Sequence, residues 1–275
     1  MDAQNSPGKS AAANDIILYP GIREQASVQG GSLSDPTISL FMPAFNAEPY
    51  IREVFNRFPD ELWQSVARVW VINDGSTDGT KEALAALCKS NDKINAVHFA
   101  WNRGYGKAVK EGLGKCKNDG CDIAVCLHAD GQYPPEAVVK FSREMAARRL
   151  DILQGSRIAS GTALSGGMPV YKYTANRILT FLENMVFNLS MTDYHSGMLL
   201  YSRKTLDMVP FERLSDSFDI DLEMIACGRA RGLAISEMPI PTRYAGETSH
   251  LNPVTYGLRV LGVMAKYLSG RYHRL

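Results

Sequence analysis

The sequence has little cysteine: five residues in 275, at positions 88, 116, 121, 126 and 227. No two of them form a Cys-x-x-Cys pair. The spacing gives neither a zinc site nor the disulfide framework of a small secreted domain, and it fits free thiols in a reducing cytoplasm. The chain has no surplus of either charge, since 30 Lys and Arg face 29 Asp and Glu for a formal net charge of +1. A global pull toward nucleic acid is therefore not expected. There is no uncharged apolar run of the about 18 residues that mark a membrane-spanning helix, no basic-then-apolar leader and no internal repeat. These absences predict a cytoplasmic location.

What is present is the composition of a globular protein, 45% apolar and 21% charged, enough for a sizeable core. Residues 1–36, rich in Ser, Gly, Ala, Gln and Asn, read as a flexible N-terminal arm. From residue 37 the texture changes. Apolar runs of strand length stand at 38–41, 69–72, 96–100, 123–127 and 151–154, with helical patterns at 49–58, 80–89, 106–116 and 135–149 between them. Further on lie a long amphipathic pattern at 170–188, strand-like runs at 198–201 and 234–239, and a helix near 221–231. Alternating strands and helices predict an α/β fold, a mostly parallel mixed sheet with helices on both faces, in a single domain over 37–252. Residues 253–275 read as an amphipathic helix with a basic tail. With Arg259, Lys266, Arg271 and Arg274, that segment suits peripheral contact with the anionic inner face of a membrane, or packing on the domain.

Open α/β sheets bind ligands beyond the carboxyl ends of their strands, and four loops there carry polar, acidic and small residues. The first is Pro43-Ala44-Phe45-Asn46-Ala47-Glu48. The second, Asn73-Asp74-Gly75-Ser76-Thr77-Asp78-Gly79-Thr80, puts Asp74 at a strand end as a ligand contact, while Asp78 reads as the cap of a turn. The third, Asn102-Arg103-Gly104-Tyr105-Gly106-Lys107, leads into a helix and offers Gly104 and Lys107 to an anion. The fourth, His128-Ala129-Asp130-Gly131-Gln132-Tyr133-Pro134-Pro135-Glu136, delivers two candidate metal ligands, His128 and Asp130. An unpartnered buried carboxylate is costly, so Asp130 needs a cation or a donor nearby.

Taken in order, Met42–Glu48, Val71–Thr80, Asn102-Arg103-Gly104, Ala129–Glu136 and Gly155-Ser156-Arg157 resemble the motifs of glycosyltransferase family 2, most of all the branch of dolichyl-phosphate mannose synthase and related bacterial enzymes. The resemblance implies a GT-A fold, a nucleoside-diphosphate sugar donor and Mn²⁺ or Mg²⁺. It implies that Pro43, Phe45 and Glu48 line the nucleoside, with Asp74 on the base or ribose side. Asp130 and Gln132 would face the diphosphate and its metal, and Arg157 a phosphate. Ser217–Glu223 resembles the family's acidic helix start, and Arg243–Ser249 its basic acceptor-side loop. Two positions depart from the branch, which usually has Asp where His128 and Asn73 stand. Imidazole suits Mn²⁺ better than Mg²⁺, so His128 either biases the site toward Mn²⁺ or hydrogen-bonds a phosphate or loop instead.

The expected activity is inverting transfer of the sugar to a polyprenyl phosphate, or to a hydroxyl of a glycan or small molecule. The leaving diphosphate needs cationic stabilisation. A hydroxyl acceptor also needs a base, for which Asp193, Asp219 and Asp221 are the candidates beside the metal-side Asp130. A lipid phosphate is already anionic and needs cations to hold it: Lys172, Arg177 and Arg243. Two other classes compete. A sugar-phosphate nucleotidyltransferase would want a Gly-rich basic loop after the first strand, which 41–46 lacks; a catalytically inactive nucleotide-sugar-binding module would explain His128 and Asn73 as a decayed metal site. Sugar, base and oligomeric state are not legible in the sequence.

Overall fold

The structure is a computed structural model that describes residues 35–161, 163–241 and 253–275. Among these, the apolar runs form β1 (Ile38–Ala44), β2 (Val66–Asn73), β3 (Ile94–His98), β4 (Ile123–Cys126), β5 (Ile152–Ser156), β6 (Leu199–Ser202) and β7 (Ile235–Pro239). They make one sheet in the order β3-β2-β1-β4-β6-β5-β7. Neighbours pair in parallel except β6, which runs antiparallel to both β4 and β5. The sheet is therefore mixed and mostly parallel, as expected. β4 is buried at every position and β1 at all but one, the pattern of interior strands covered on both faces.

The helices are α1 (Glu48–Asn56), α2 (Asp60–Ser65), α3 (Thr80–Ser90), α4 (Tyr105–Asp119), α5 (Val138–Ala147), α6 (Val170–Phe187), α7 (Arg203–Met208), α8 (Ile220–Ala230) and α9 (Pro253–Leu268). Two cores result. Ile51 of α1, Leu62 of α2, Leu84 of α3 and Phe141 of α5 share one with Leu40 and Val125 of the sheet. Val109 of α4, Ile225 of α8 and Val263 of α9 share the other with Phe41 and Ala124. Alternate strand residues thus feed opposite faces. At Gly112 the α4 backbone rides on the Phe41 ring so closely that a Cβ would stand 2.3 Å from Phe41 Cδ2.

Strand register defines the functional edge. Phe41 pairs with Cys126, Cys126 with Leu199, and Leu199 with Gln154. The carboxyl ends of β1, β4 and β5 and the amino end of β6 therefore meet on one side, and the segments that follow or precede them converge there.

Two elements differ from the simple reading of their patterns. The buried positions of α6 are Asn176, Thr180, Glu183 and Phe187, whereas Ile178, Phe181 and Met185 are exposed. Three polar residues thus join Phe187 on its buried face, with Leu179, Leu182 and Val186 packed beside them, while part of its apolar surface is turned outward. In the segment after α9, Tyr272 is buried and donates to Glu223 Oε1 at 2.7 Å. Of the basic residues expected to face a membrane, Arg259 and Lys266 instead pair with Asp219 and Glu223 around α8. Burying those carboxylates requires cationic partners, which explains the inward turn. The expected N-terminal arm lies, except for residues 35 and 36, outside the described residues, as does Arg243.

Candidate active site at the carboxyl edge of the sheet

The loops after β1 and β2 are fastened to each other. Asn46, held at φ 51°, donates its N–H to Ser76 and accepts from Thr77 N–H on Oδ1, both at 2.9 Å. Glu48 accepts from Gly79 N–H at 2.9 Å, and Ala47 N–H donates to Thr80 Oγ1. Asp78 accepts from Thr80 N–H and its hydroxyl, closing the turn into α3, whose N-cap position is Gly79. Phe45 stays exposed, so this rim presents an aromatic ring on a braced loop.

Asp74 is buried, and its two oxygens accept from the backbone N–H groups of Arg103 at 2.6 Å and Gly104 at 3.0 Å. It shapes the third loop. Gly104, at φ 96°, occupies a region that favours glycine, and Gly75 leaves room where a Cβ would stand 2.2 Å from the Trp101 carbonyl carbon. Asn73 accepts from Ser76 N–H at 3.1 Å, and its amide meets His98 Nδ1 at 3.0 Å. An amide can serve a donor and an acceptor together, which accounts for Asn here. Lys107 turns to Asp216 at 2.9 Å.

The β4 strand delivers His128 and Asp130 to the edge. Asp130 Oδ1 accepts from Gln132 N–H at 3.0 Å, and Oδ2 lies 3.9 Å from His128 Nδ1. The other ring nitrogen, Nε2, is 3.0 Å from the Tyr105 hydroxyl, which also donates to Asp221 Oδ2 at 2.8 Å. Burial lowers the His128 pKa despite the pull of Asp130, so the imidazole is neutral at ordinary pH. Burial pushes the Asp221 carboxyl up to about 7 and the Tyr133 hydroxyl up to about 12. Tyr133 meets the His128 ring edge-on at 5.2 Å.

Across the edge, Arg157 follows β5 and holds Asp193 by two bonds, Nε to Oδ2 at 2.9 Å and Nη2 to Oδ1 at 3.2 Å. Asn176 of α6 and His195 N–H also donate to Asp193 Oδ1. Burial opposes ionisation of Asp193, yet Arg157, His195 and Asn176 hold its carboxyl well below the usual carboxylate range. Such a group stays ionised at ordinary pH with its oxygens occupied by Arg157, Asn176 and His195. Asp219 is likewise occupied, accepting from Ser215 Oγ at 2.7 Å with Arg259 at 3.4 Å. Asp221, the third candidate base, has a raised pKa, but its oxygen is bonded to Tyr105.

His195 sits between Tyr256 of α9, 2.9 Å from Nδ1, and the fully buried Glu183 of α6, whose Oε2 is 3.3 Å from Nε2. Burial disfavours its charge, but Glu183 and Asp193 outweigh that and raise its pKa. Lys172 and Arg177 lie exposed on α6, with Arg177 3.4 Å from the Thr192 carbonyl. The sequence did not single out Tyr105, Tyr133, Asn176, Glu183 or Tyr256. Tyr105 and Tyr133 lie inside quoted motifs; Asn176, Glu183 and Tyr256 lie on helices whose apolar periodicity masks them.

Among the described residues no group of three or more His, Cys, Asp and Glu side chains is placed to hold a metal. His128 and Asp130 could supply two ligands, with the remainder coming from diphosphate oxygens and water, as is common for divalent ions in phosphate sites. The site thus brings together His128 beside Asp130, an aromatic rim, a buried acid and a bonded arginine.

Comparison with known proteins agrees with this arrangement. The chain is 27% identical over 224 residues to the UDP-N-acetylglucosamine–dolichyl-phosphate N-acetylglucosaminyltransferase of Methanococcus voltae, covering 77% of this chain and 88% of that protein. It is 26% identical to the dolichol-phosphate mannosyltransferase of Saccharomyces cerevisiae, over 82% and 79% of the two chains. In fold it resembles glucosyl-3-phosphoglycerate synthase from Mycobacterium tuberculosis, solved with Mn²⁺, UDP and phosphoglyceric acid, with a TM-score of 0.63 at 18% identity over 84% and 78% of the chains. Residues 39–209 match the model of Glycosyl transferase family 2, a span that runs from β1 through β6 and α7 and takes in the loops described above. The chain belongs to glycosyltransferase family 2, is a glycosyltransferase, and has the GT-A fold.

Proposed function

We propose that this glycosyltransferase moves a sugar from a nucleoside diphosphate to a polyprenyl phosphate at a membrane surface, with inversion and with a divalent cation. The observation that carries the acceptor assignment is the polarity of α6 and α9, which pack on each other. Their inward residues reach the site: Asn176 bonds Asp193, and Tyr256 bonds His195. Their outward positions are apolar at helical spacing, Tyr171, Ile178, Phe181 and Met185 on α6 and Val254, Leu258, Leu261 and Leu268 on α9. Phe181 is 63% exposed and Leu258 66%. Large exposed apolar stripes on a water-soluble surface are unfavourable unless a partner covers them, and helices of this kind lie in the lipid interface. Lys172 and Arg177, on the same helix as the α6 stripe, suit a lipid phosphate.

The acceptor chemistry agrees with the state of the carboxylates. A phosphate nucleophile is already anionic and needs no general base, and Asp193 and Asp219 are both engaged by cationic side chains. Arg157 keeps its guanidinium at the sheet edge, where it adds positive potential for a diphosphate. The Phe45 rim and the braced Glu48 loop suit the nucleoside. His128 and Asp130 would hold the cation, which would stabilise the charge developing on the leaving diphosphate. The lipid-phosphate acceptors in the relatives' names support the same reading.

Flotation with vesicles of anionic phospholipid tests the surface assignment. The parent protein is expected to float and the Phe181→Glu/Leu258→Glu variant to stay in the aqueous fraction, with its fold intact by circular dichroism. Equal partitioning of the two proteins would remove the α6–α9 argument.

A further inference from the structure

We propose that Tyr105 and Asp221 are positioning residues that commit the His128 proton to Nε2 and thereby leave Nδ1 as a ligand aimed at the cation beside Asp130. The inference rests on the cation reading above and adds how this chain makes an imidazole serve where its family branch has a carboxylate.

The reasoning is proton bookkeeping along one chain of hydrogen bonds. A tyrosine hydroxyl has a single proton. Above about pH 7, where Asp221 is ionised, its carboxylate can only accept, so the Tyr105 proton goes to Asp221 Oδ2 at 2.8 Å. The Tyr105 oxygen then accepts from His128, and the ring proton must sit on Nε2, 3.0 Å away. Nδ1 is left with its lone pair, 3.9 Å from Asp130 Oδ2. Two electron-rich groups facing each other at that distance repel unless a cation lies between them. If Asp221 donates instead, every bond in the chain reverses and Nδ1–H points at Asp130, closing the seat. Metal-bound histidines characteristically donate their other N–H to an oriented acceptor; here that acceptor is a tyrosine oxygen fixed by an acid.

The ring has no freedom to escape this choice. A Cβ on Gly197 would stand 2.3 Å from both Cε1 and Nε2 of His128. Tyr133 closes one side edge-on at 5.2 Å and Tyr105 another at 5.5 Å. Phe218 stacks on Tyr105 at 5.3 Å and 14° and holds its hydroxyl in line. Asp221 Oδ1 is buried with no hydrogen-bond partner among the described residues, so the hydrogen bonding of that carboxyl is concentrated on Tyr105. A purely structural acid gains nothing from such an arrangement, since an unsatisfied buried oxygen is costly.

The test is a mutant cycle read by Mn²⁺ binding, measured from the free-ion EPR signal in the presence of UDP. Tyr105→Phe and Asp221→Asn are near-isosteric; the first removes the acceptor at Nε2, and the second replaces an acceptor-only carboxylate by an amide that no longer dictates the direction of the Tyr105 bond. Each is expected to weaken Mn²⁺ binding roughly 10–100-fold, the usual range for losing a partner of a metal-bound side chain. Two-bond ¹H–¹⁵N spectra of the metal-free variants should show the His128 proton moving from Nε2 to Nδ1 in Tyr105→Phe, where Nε2 loses its acceptor and Asp130 lies beside Nδ1. A carboxylate has no tautomer, so in a His128→Asp background Tyr105→Phe should leave Mn²⁺ affinity within about twofold. The proposal is overturned if Tyr105→Phe has no effect in the parent, or if the loss is equally large in both backgrounds, which would mark a general packing role. Asp130→Ala separates this from the wider reading: if it too leaves Mn²⁺ binding unchanged, the cation seat itself is misplaced, whereas loss in Asp130→Ala beside an unaffected Tyr105→Phe removes only the relay.

Discussion

Asp193 accepts two bonds from Arg157 and one from Asn176, and its role follows from those partners. Removing one member of a buried pair leaves the other charge uncompensated, a loss of about 3 kcal/mol or more. Asp193→Asn should therefore lower unfolding free energy by about that amount in urea titrations, a structural cost that comes before any effect on turnover. His195 gives a second prediction at this scale. Its folded pKa is raised above 6.5 by Glu183 and Asp193 against the effect of burial, so its stabilising contribution is complete below 6.5 and fades as pH climbs through the folded value. Stability of the parent should fall relative to His195→Gln over that alkaline window. A constant difference between the two proteins across it would show that the α6–α9 contact does not depend on the imidazolium. The residue partnerships were the least legible feature of the sequence. Tyr105 and Asp221 are 116 positions apart, and no local pattern joins them. Asp74 was legible as a strand-end acid, but its engagement by Arg103 and Gly104 N–H groups depends on how a neighbouring loop folds back.

The strands were legible because interior strands of a covered sheet are nearly continuous apolar runs, and all seven runs became strands. The third is displaced to Ile94–His98 from 96–100, because apolar residues continue past the point where pairing with β2 ends. The short helices α2 and α7 were missed, since six residues hold too few turns for a period to emerge. For α6 the periodicity revealed the helix but not its orientation: an amphipathic pattern says that two faces differ, and ordinary expectation puts the apolar one inside. Asn176, Thr180 and Glu183 share the buried face with Phe187 because the site beneath α6 is itself polar. Element packing also makes a prediction at Gly112, where a methyl group would strike Phe41. Gly112→Ala should cost about 1–3 kcal/mol despite alanine's better helix propensity, read as a drop in denaturation midpoint. An unchanged or higher midpoint would mean that α4 can lift from β1 freely.

Across the whole molecule, the sheet edge gathers groups from β4, β5, the segment before β6, α4, α6, α8 and α9, and the two helices that close it turn apolar stripes outward. That layout suits an acceptor whose charged end must reach the sheet edge while its apolar chain stays in lipid. The most direct measurement is transfer of labelled sugar from a panel of UDP-, GDP- and TDP-sugars to polyprenyl phosphate in vesicles, with Mn²⁺, Mg²⁺ or a chelator present. The account predicts solvent-extractable, singly glycosylated lipid phosphate from at least one donor, greater with Mn²⁺ than with Mg²⁺ and absent with the chelator. Label recovered only on water-soluble hydroxyl acceptors, or lipid product formed equally well in the chelator, would contradict it.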